Sequence, residues 1–165
     1  MGVSIKRLGP GDEAILELLA REDADFDLDG VSDALEPLKP NVAQRYLASP
    51  SVLHWVALED SVVTGFLYCA HLLLRTDPGQ ELLLYEIGVR QAHRRKGVGR
   101  ALLDHMARWM QSNGMSVVWV CAGNRVAVDF YRGCGFASED PQPLYMTRAV
   151  EPAPQSAART LLSIG

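Results

Sequence analysis

Apolar residues recur along the chain with two periods, and the switches between them mark out the elements. Ser4 to Leu8 predicts a first strand. Gly9-Pro10-Gly11-Asp12 reads as a turn, with Asp12 capping a helix whose apolar face is Ile15, Leu16, Leu18 and Leu19. From Asp23 to Pro40 neither period holds, which predicts a mobile loop with at most a short helix. A helix over about Asn41 to Ala48 follows, stopped by Pro50. Two runs of β-formers, Val52 to Glu59 and Val62 to Leu74, flank Asp60-Ser61, a tight hairpin. After a turn at Thr76 to Gly79, Glu81 to Val89 is a third strand and almost wholly apolar.

The period then returns to 3.6. Val98, Leu102, Met106, Trp109 and Met110 share one side of a helix over 97–113, and Gly114 suits its end. Met115 to Ala122 is a continuous apolar strand of the kind expected at a central position. A helix over 124–133 ends at Gly133, and Phe136 to Val150 predicts one or two last strands around Pro141 and Pro143. The succession is strand, helices, three strands, helix, strand, helix, strand. It predicts an α/β chain of α+β character, a mixed sheet layered with helices in one domain over 1–150. Residues 151–165, rich in Pro and Ala, predict a tail that docks on a partner subunit.

Composition narrows the setting without naming a chemistry. No window approaches the roughly 20 apolar residues of a membrane helix, and the first residues have no signal-peptide core; a cytoplasmic protein is expected. Cys69, Cys121 and Cys134 lack metal-ligand or redox spacing, so they read as buried apolar residues, and no metal is expected. The three tryptophans read as core, and the four histidines receive no role. The net charge of −4 disfavours nucleic acid. Its distribution is more informative. Residues 12–36 hold half of the 20 acids and a single base, Arg21, whereas residues 90–100 hold Arg90, Arg94, Arg95, Lys96 and Arg100 and no acid.

That basic run lies between a buried strand and a helix start. Backbone N–H groups in a first helical turn have no intrahelical partner and sit at the positive end of the helix dipole, so such a turn takes an anion. Gly97 and Gly99 leave the donors open, and Arg94, Arg95, Lys96 and Arg100 add charge. Neither the Walker loop nor the dinucleotide fingerprint is present. What is present, Arg94-x-x-Gly97-x-Gly99 after Tyr85-Glu86-Ile87-Gly88-Val89, resembles the pyrophosphate loop of the GNAT superfamily of N-acetyltransferases. Asn124 to Phe136, with Phe130-Tyr131 and Gly135-Phe136, resembles that superfamily's second motif at the same spacing. Within it, Leu84 to Val89 and Val63-Thr64-Gly65 are most similar to the aminoglycoside 3-N-acetyltransferases, which have Asp where Glu86 stands.

The resemblance implies the GNAT fold over residues 3–148, acetyl-coenzyme A as acetyl donor and a homodimer. It implies cofactor contacts from Ile87, Gly88, Val89, Arg94, Arg95, Lys96, Gly97, Val98, Gly99, Arg100 and Asn124. By the same resemblance Tyr131 protonates the departing thiolate. From the residues themselves, Glu86 is the candidate base, because an attacking amine must lose a proton and a carboxylate in so apolar a strand is expected to have a raised pKa. Gly88 suits a bulge or a close ligand approach. Asp23, Asp25, Asp27, Asp29, Asp33 and Glu36 supply a field for a small polycationic amine. The expectation is acetylation of such an amine, an aminoglycoside among them, by direct transfer in a ternary complex. The alternatives are another amine (a polyamine, an amino acid or a protein N-terminus) and a non-catalytic acyl-coenzyme A sensor.

Overall fold

The computed structural model describes residues 2–26, 35–77, 79–141, 143, 144 and 146–150. Among these residues five strands form one sheet in chain order: β1 (Ser4–Arg7), β2 (Val52–Glu59), β3 (Val62–Leu73), β4 (Gln80–Val89) and β5 (Val118–Val120). The first four are antiparallel, and β5 pairs parallel to β4. The hairpin between β2 and β3 turns on Asp60 and Ser61, both at positive φ (49° and 68°), the primed geometry that matches strand twist.

Helices cover both faces. On one, α4 (Val98–Ser112) lays Leu102, Leu103, Met106 and Met110 over Leu53, Trp55, Leu67, Cys69, Leu82 and Leu84. The flank of this core is closed by α5 (Arg125–Gly133) through Phe130 and Tyr131. On the other face, α1 (Glu13–Arg21), the single-turn α2 (Asp23–Phe26) and α3 (Pro40–Ala48) bury Leu19, Phe26 and Leu47 against Val56 and Phe66. Alternation along β2 and β3 divides the two cores: Trp55 and Leu67 point to α4, while His54, Val56, Phe66 and Tyr68 point to α1 and α3.

Several expectations are corrected. The segment Met115–Ala122 forms a strand over only Val118–Val120, at the edge of the sheet, and Trp119 is 40% exposed. A continuous apolar run thus marked a short edge strand. No strand forms among the described residues of 136–150, and Leu144, Met146 and Val150 are exposed. Asp12 does not cap α1; its carboxylate accepts from the Gly9 N–H and pairs with Lys6. Of the cysteines only Cys69 is buried. The tail over 151–165 and the acids Asp27, Asp29 and Asp33 lie outside the described residues.

Candidate active site

Strand β4 organises the site through one irregularity. Tyr68 pairs with Glu86 but Cys69 pairs with Leu84, so Tyr85 is an extra residue, a β-bulge. A one-residue slip moves every later side chain to the opposite face. Leu82 and Leu84 therefore point to α4 before the bulge, and Ile87 and Val89 do so after it. Glu86 and Gly88 turn to the other face. Gly88 shows this directly, because a Cβ there would lie 2.5 Å from Cε1 of Phe66 and 3.0 Å from Cβ of Phe26. The glycine serves close packing, and the bulge expected at Gly88 falls at Tyr85.

The burial expected around Glu86 is corrected for the same reason: turned away from the α4 core, Glu86 is exposed. Its neighbours are polar aromatics. His54, Tyr68 and Glu86 are register partners across β2, β3 and β4, so they form one lateral row. Tyr46 of α3 stands over that row, its hydroxyl 3.0 Å from Nδ1 of His54. Ring centroids are 5.7 Å apart for Tyr46 and Tyr68 and 5.5 Å for Tyr68 and Tyr85. Burial, and then the nearby charges of Tyr68 and Glu86, pushes the Tyr46 phenol far up. Burial also raises Tyr68, with the charges of Tyr85, Cys69 and Glu86 adding to it. Burial lowers His54 to about 4, so this histidine is neutral.

The edge of β4 carries the second element of the site. The Arg90 N–H donates to the Thr64 carbonyl, and strand polar groups alternate in direction. Gly88 thus turns its backbone toward β3, while Ile87 and Val89 turn theirs toward β5. Pairing with β5 stops at Leu84–Val120, so among the described residues the β4 edge over Ile87–Val89 has no strand partner on that side. One of its acceptors, the Val89 carbonyl, takes Nε of Arg94 at 3.0 Å.

The basic loop follows. Arg95 and Gly97 have φ of 62° and 87°, and Gly97, in the left-handed region, opens α4 with no side-chain cap. Open space surrounds a Cβ built on Gly97. Arg95 and Lys96 are exposed beside it. These features fit a diphosphate at the helix start and an amide-bearing arm along the open edge. The other predicted contacts have different local duties. Val98 is buried in the core. Gly99 makes room for Phe130, whose Cζ would be 3.1 Å from a Cβ. Arg100 donates to the Gly133 carbonyl at the end of α5, 2.8 Å away. Asn124 is the N-cap of α5, its Oδ1 accepting from the Ala127 N–H at 2.9 Å.

Tyr131 lies on the α4 side of the sheet, packed by Phe130 and Phe136. Burial, aided by Cys69 and Cys134, raises its phenol to about 12, so it holds its proton at neutral pH. Of the predicted substrate acids, Asp23, Asp25 and Glu36 lie among the described residues. Asp25 is committed to Arg90 at 2.7 Å and accepts from the Gln91 N–H, while Arg90 also pairs with Glu22 at 2.6 Å and stacks over Phe26. Asp23 lies in α2, and Glu36 is exposed. Sequence reasoning missed Tyr46, His54, Tyr68 and Tyr85. The only available signal was aromatic residues recurring at the alternate strand positions 54, 66 and 68. Among the described residues no group of His, Cys, Asp or Glu is placed to hold a metal, and no helix is long and apolar enough to cross a membrane.

Residues 14–136, most of the chain, match the model of the acetyltransferase (GNAT) family, and the chain belongs to that family, whose members use acetyl-coenzyme A. A stretch of 58 residues is 36% identical to the ribosomal protein bS18-alanine N-acetyltransferase of Escherichia coli. That match covers 34% of this chain and 39% of the relative, so the chain spans well under half the length of the curated protein it resembles. Among solved structures, an aminoglycoside acetyltransferase from an uncultured soil metagenomic sample has a TM-score of 0.78 at 23% identity, covering 92% of this chain and 100% of that one. Another aminoglycoside acetyltransferase from such a sample, in complex with sisomicin, has a TM-score of 0.77 at 22% identity, covering 90% and 97%. A ribosomal-protein-alanine N-acetyltransferase from Brucella melitensis biovar Abortus has a TM-score of 0.70 at 20% identity, covering 90% and 100%. At such identities the likeness is one of fold.

Proposed function

We propose that the protein transfers the acetyl group of acetyl-coenzyme A directly to the amine of a small cationic acceptor, an aminoglycoside among the candidates. One observation carries this reading: the β4 bulge turns Glu86 toward the Tyr46–Tyr68 face, while the residues that follow it, Ile87 to Val89, have no strand partner on the β5 side among the described residues. A carboxylate and an open edge on adjacent residues give an amine and a thioester a common meeting point.

In this reading Arg95, Lys96 and the first N–H groups of α4 after Gly97 hold the diphosphate, and Ile87 and Val89 hold the arm through backbone groups. Acetyl-coenzyme A supplies a thioester. Glu86 accepts the proton of the acceptor ammonium. The free amine nitrogen bonds to the carbonyl carbon as the carbon–sulfur bond breaks, and Tyr131 gives its proton to the thiolate. The new N-protonated amide loses its second proton to solvent, from which the phenolate is reprotonated, and Glu86 returns the first proton to solvent to close the cycle. A Tyr131 phenol raised to about 12 stays protonated until it is used.

The fold of the solved aminoglycoside acetyltransferases supports a small-molecule acceptor. A second reading, acetylation of a peptide's N-terminal alanine, is favoured by the segment 36% identical to the bS18-alanine enzyme. Thiol release from acetyl-coenzyme A with sisomicin, kanamycin, spermidine, lysine and an alanine-initiated peptide separates them. Release with the aminoglycosides alone supports the first reading, and release with the peptide alone supports the second. Tight acetyl-coenzyme A binding with no release for any amine overturns both in favour of a sensor.

A further inference from the structure

We infer that Tyr46, Tyr68 and Tyr85 form an aromatic subsite that binds the acceptor's ammonium group through their ring faces beside Glu86. This deepens the acyl-transfer reading and rests on it for the identity of the occupant.

The rings form a graded wall. At its base His54 is 7% exposed, packed against Phe66, Tyr46 and Tyr68 with centroids 5.7, 6.0 and 5.8 Å away. Tyr46 and Tyr68 are half-buried above it, and Tyr85 at the rim is 68% exposed. The tyrosine planes meet at 55° and 54°, so neighbouring rings are tilted rather than stacked flat. An aromatic face attracts a cation within roughly 6 Å of its centroid. Glu86, the cross-strand partner of Tyr68, adds a negative charge at the same height. The bulge is what brings Glu86 to this wall, next to Tyr85. In a regular strand Tyr85 would share the face of Tyr68, and Glu86 would turn into the α4 core.

His54 fixes the wall's orientation. Nδ1 meets the Tyr46 hydroxyl, and Nε2 is buried without a partner among the described residues. A buried orphan N–H is rarer than an under-used acceptor, which favours the tautomer with its proton on Nδ1. In that tautomer His54 donates to the Tyr46 oxygen and fixes the position of that ring. His54 is a positioning residue: it sets Tyr46 without reaching the acceptor.

The chemistry selects one class of ligand, a compact ammonium carried on an apolar or sugar carbon. A hydrogen-bond site would reward the phenol oxygens; a ring-face site rewards the rings. The test uses choline and its neutral carbon isostere 3,3-dimethylbutan-1-ol as probes, titrated by NMR into the full chain without acetyl-coenzyme A. The expected result is choline binding at least fivefold tighter than the isostere, with Tyr85→Phe and Tyr68→Phe keeping most of that preference. Tyr85→Leu and Tyr68→Leu should each lose about 3- to 30-fold in choline affinity, with acetyl-coenzyme A affinity unmoved. Tyr85 is exposed enough for its Leu variant to fold, which keeps the test valid if Tyr68→Leu does not. Equal affinity for the two probes, or Leu variants that match their Phe counterparts, overturns the subsite. Because the readout is binding, the subsite stands or falls separately from the transfer chemistry.

Discussion

Gly88→Ala is the sharpest probe of how β4 is built. The residue has no positive φ, so alanine is compatible with the backbone and the effect is steric. The new methyl would lie 2.5 Å from Cε1 and 3.0 Å from Cζ of Phe66, against an ordinary carbon contact of about 3.5–4 Å, so the ring must retreat by about 1 Å. It has little room, since Phe26 packs edge-on at 5.6 Å and His54 lies at 5.7 Å. Overpacking of this kind costs about 1–3 kcal/mol. Alanine recovers about 0.5–1 kcal/mol by restricting the unfolded chain. The net expectation is about 1–2 kcal/mol of destabilisation. With a urea slope of about 2 kcal/mol per molar, the midpoint falls by roughly 0.5–1 M. Phe66→Leu removes the clashing ring atoms, so the double variant should be more stable than the sum of the single losses by at least about 0.5 kcal/mol. A Gly88→Ala protein as stable as the parent, or a strictly additive double variant, would refute the packing of β4 against Phe66 and with it the face assigned to Glu86.

Three other outcomes follow from the same contacts. His54, lowered by burial to about 4 from an ordinary 6.5, binds a proton more readily unfolded than folded; its stability contribution is full above about pH 6.5 and lost as pH falls toward 4, about 2 kcal/mol between pH 7 and pH 5. Urea midpoints at those two pH values should show a His54-dependent slope that His54→Leu removes; an unchanged slope would contradict a buried neutral imidazole. Asn124→Ala should cost about 1 kcal/mol as a lost helix cap, a fall of roughly 2–4 °C in Tm. A tenfold loss of acetyl-coenzyme A affinity at unchanged Tm would assign Asn124 to the cofactor instead. Arg90→Met should cost about 1–2 kcal/mol, the exposure of Glu22 and Asp25 screening the two pairs, and should speed amide exchange at Asp25 and Phe26. Unaltered exchange there would show that Arg90 does not hold α2.

The periodicity of the chain placed β2 at Val52–Glu59 and brought β3, β4, α3, α4 and α5 within about a residue or two of their ends, because each carries a long, regular apolar pattern. The basic loop and its place at the start of α4 were equally legible, since glycine and charge are read one residue at a time, but the left-handed backbone of Gly97 was not. The face of Glu86 was not. Leu82, Leu83 and Leu84 are apolar at every position, so no alternation shows where the bulge shifts the register. The row His54–Tyr68–Glu86 depends on the pairing of three strands, and Tyr46 reaches it from a helix. Arg100, Asn124 and Gly99 matched a motif, but their partners Gly133, Ala127 and Phe130 are visible only in three dimensions. The acidic segment read as one field, yet Asp25 is joined to Arg90 across 65 positions of sequence.

The most direct test of the account is the pH dependence of thiol release by the parent and Glu86→Gln proteins, with saturating acetyl-coenzyme A and the best amine of the panel. The account predicts a loss of about 10²–10⁴-fold at pH 7, shrinking as pH rises and the amine loses its proton unaided. Full activity of Glu86→Gln at pH 7, with the parent's pH profile, would contradict it and move the base elsewhere in the site.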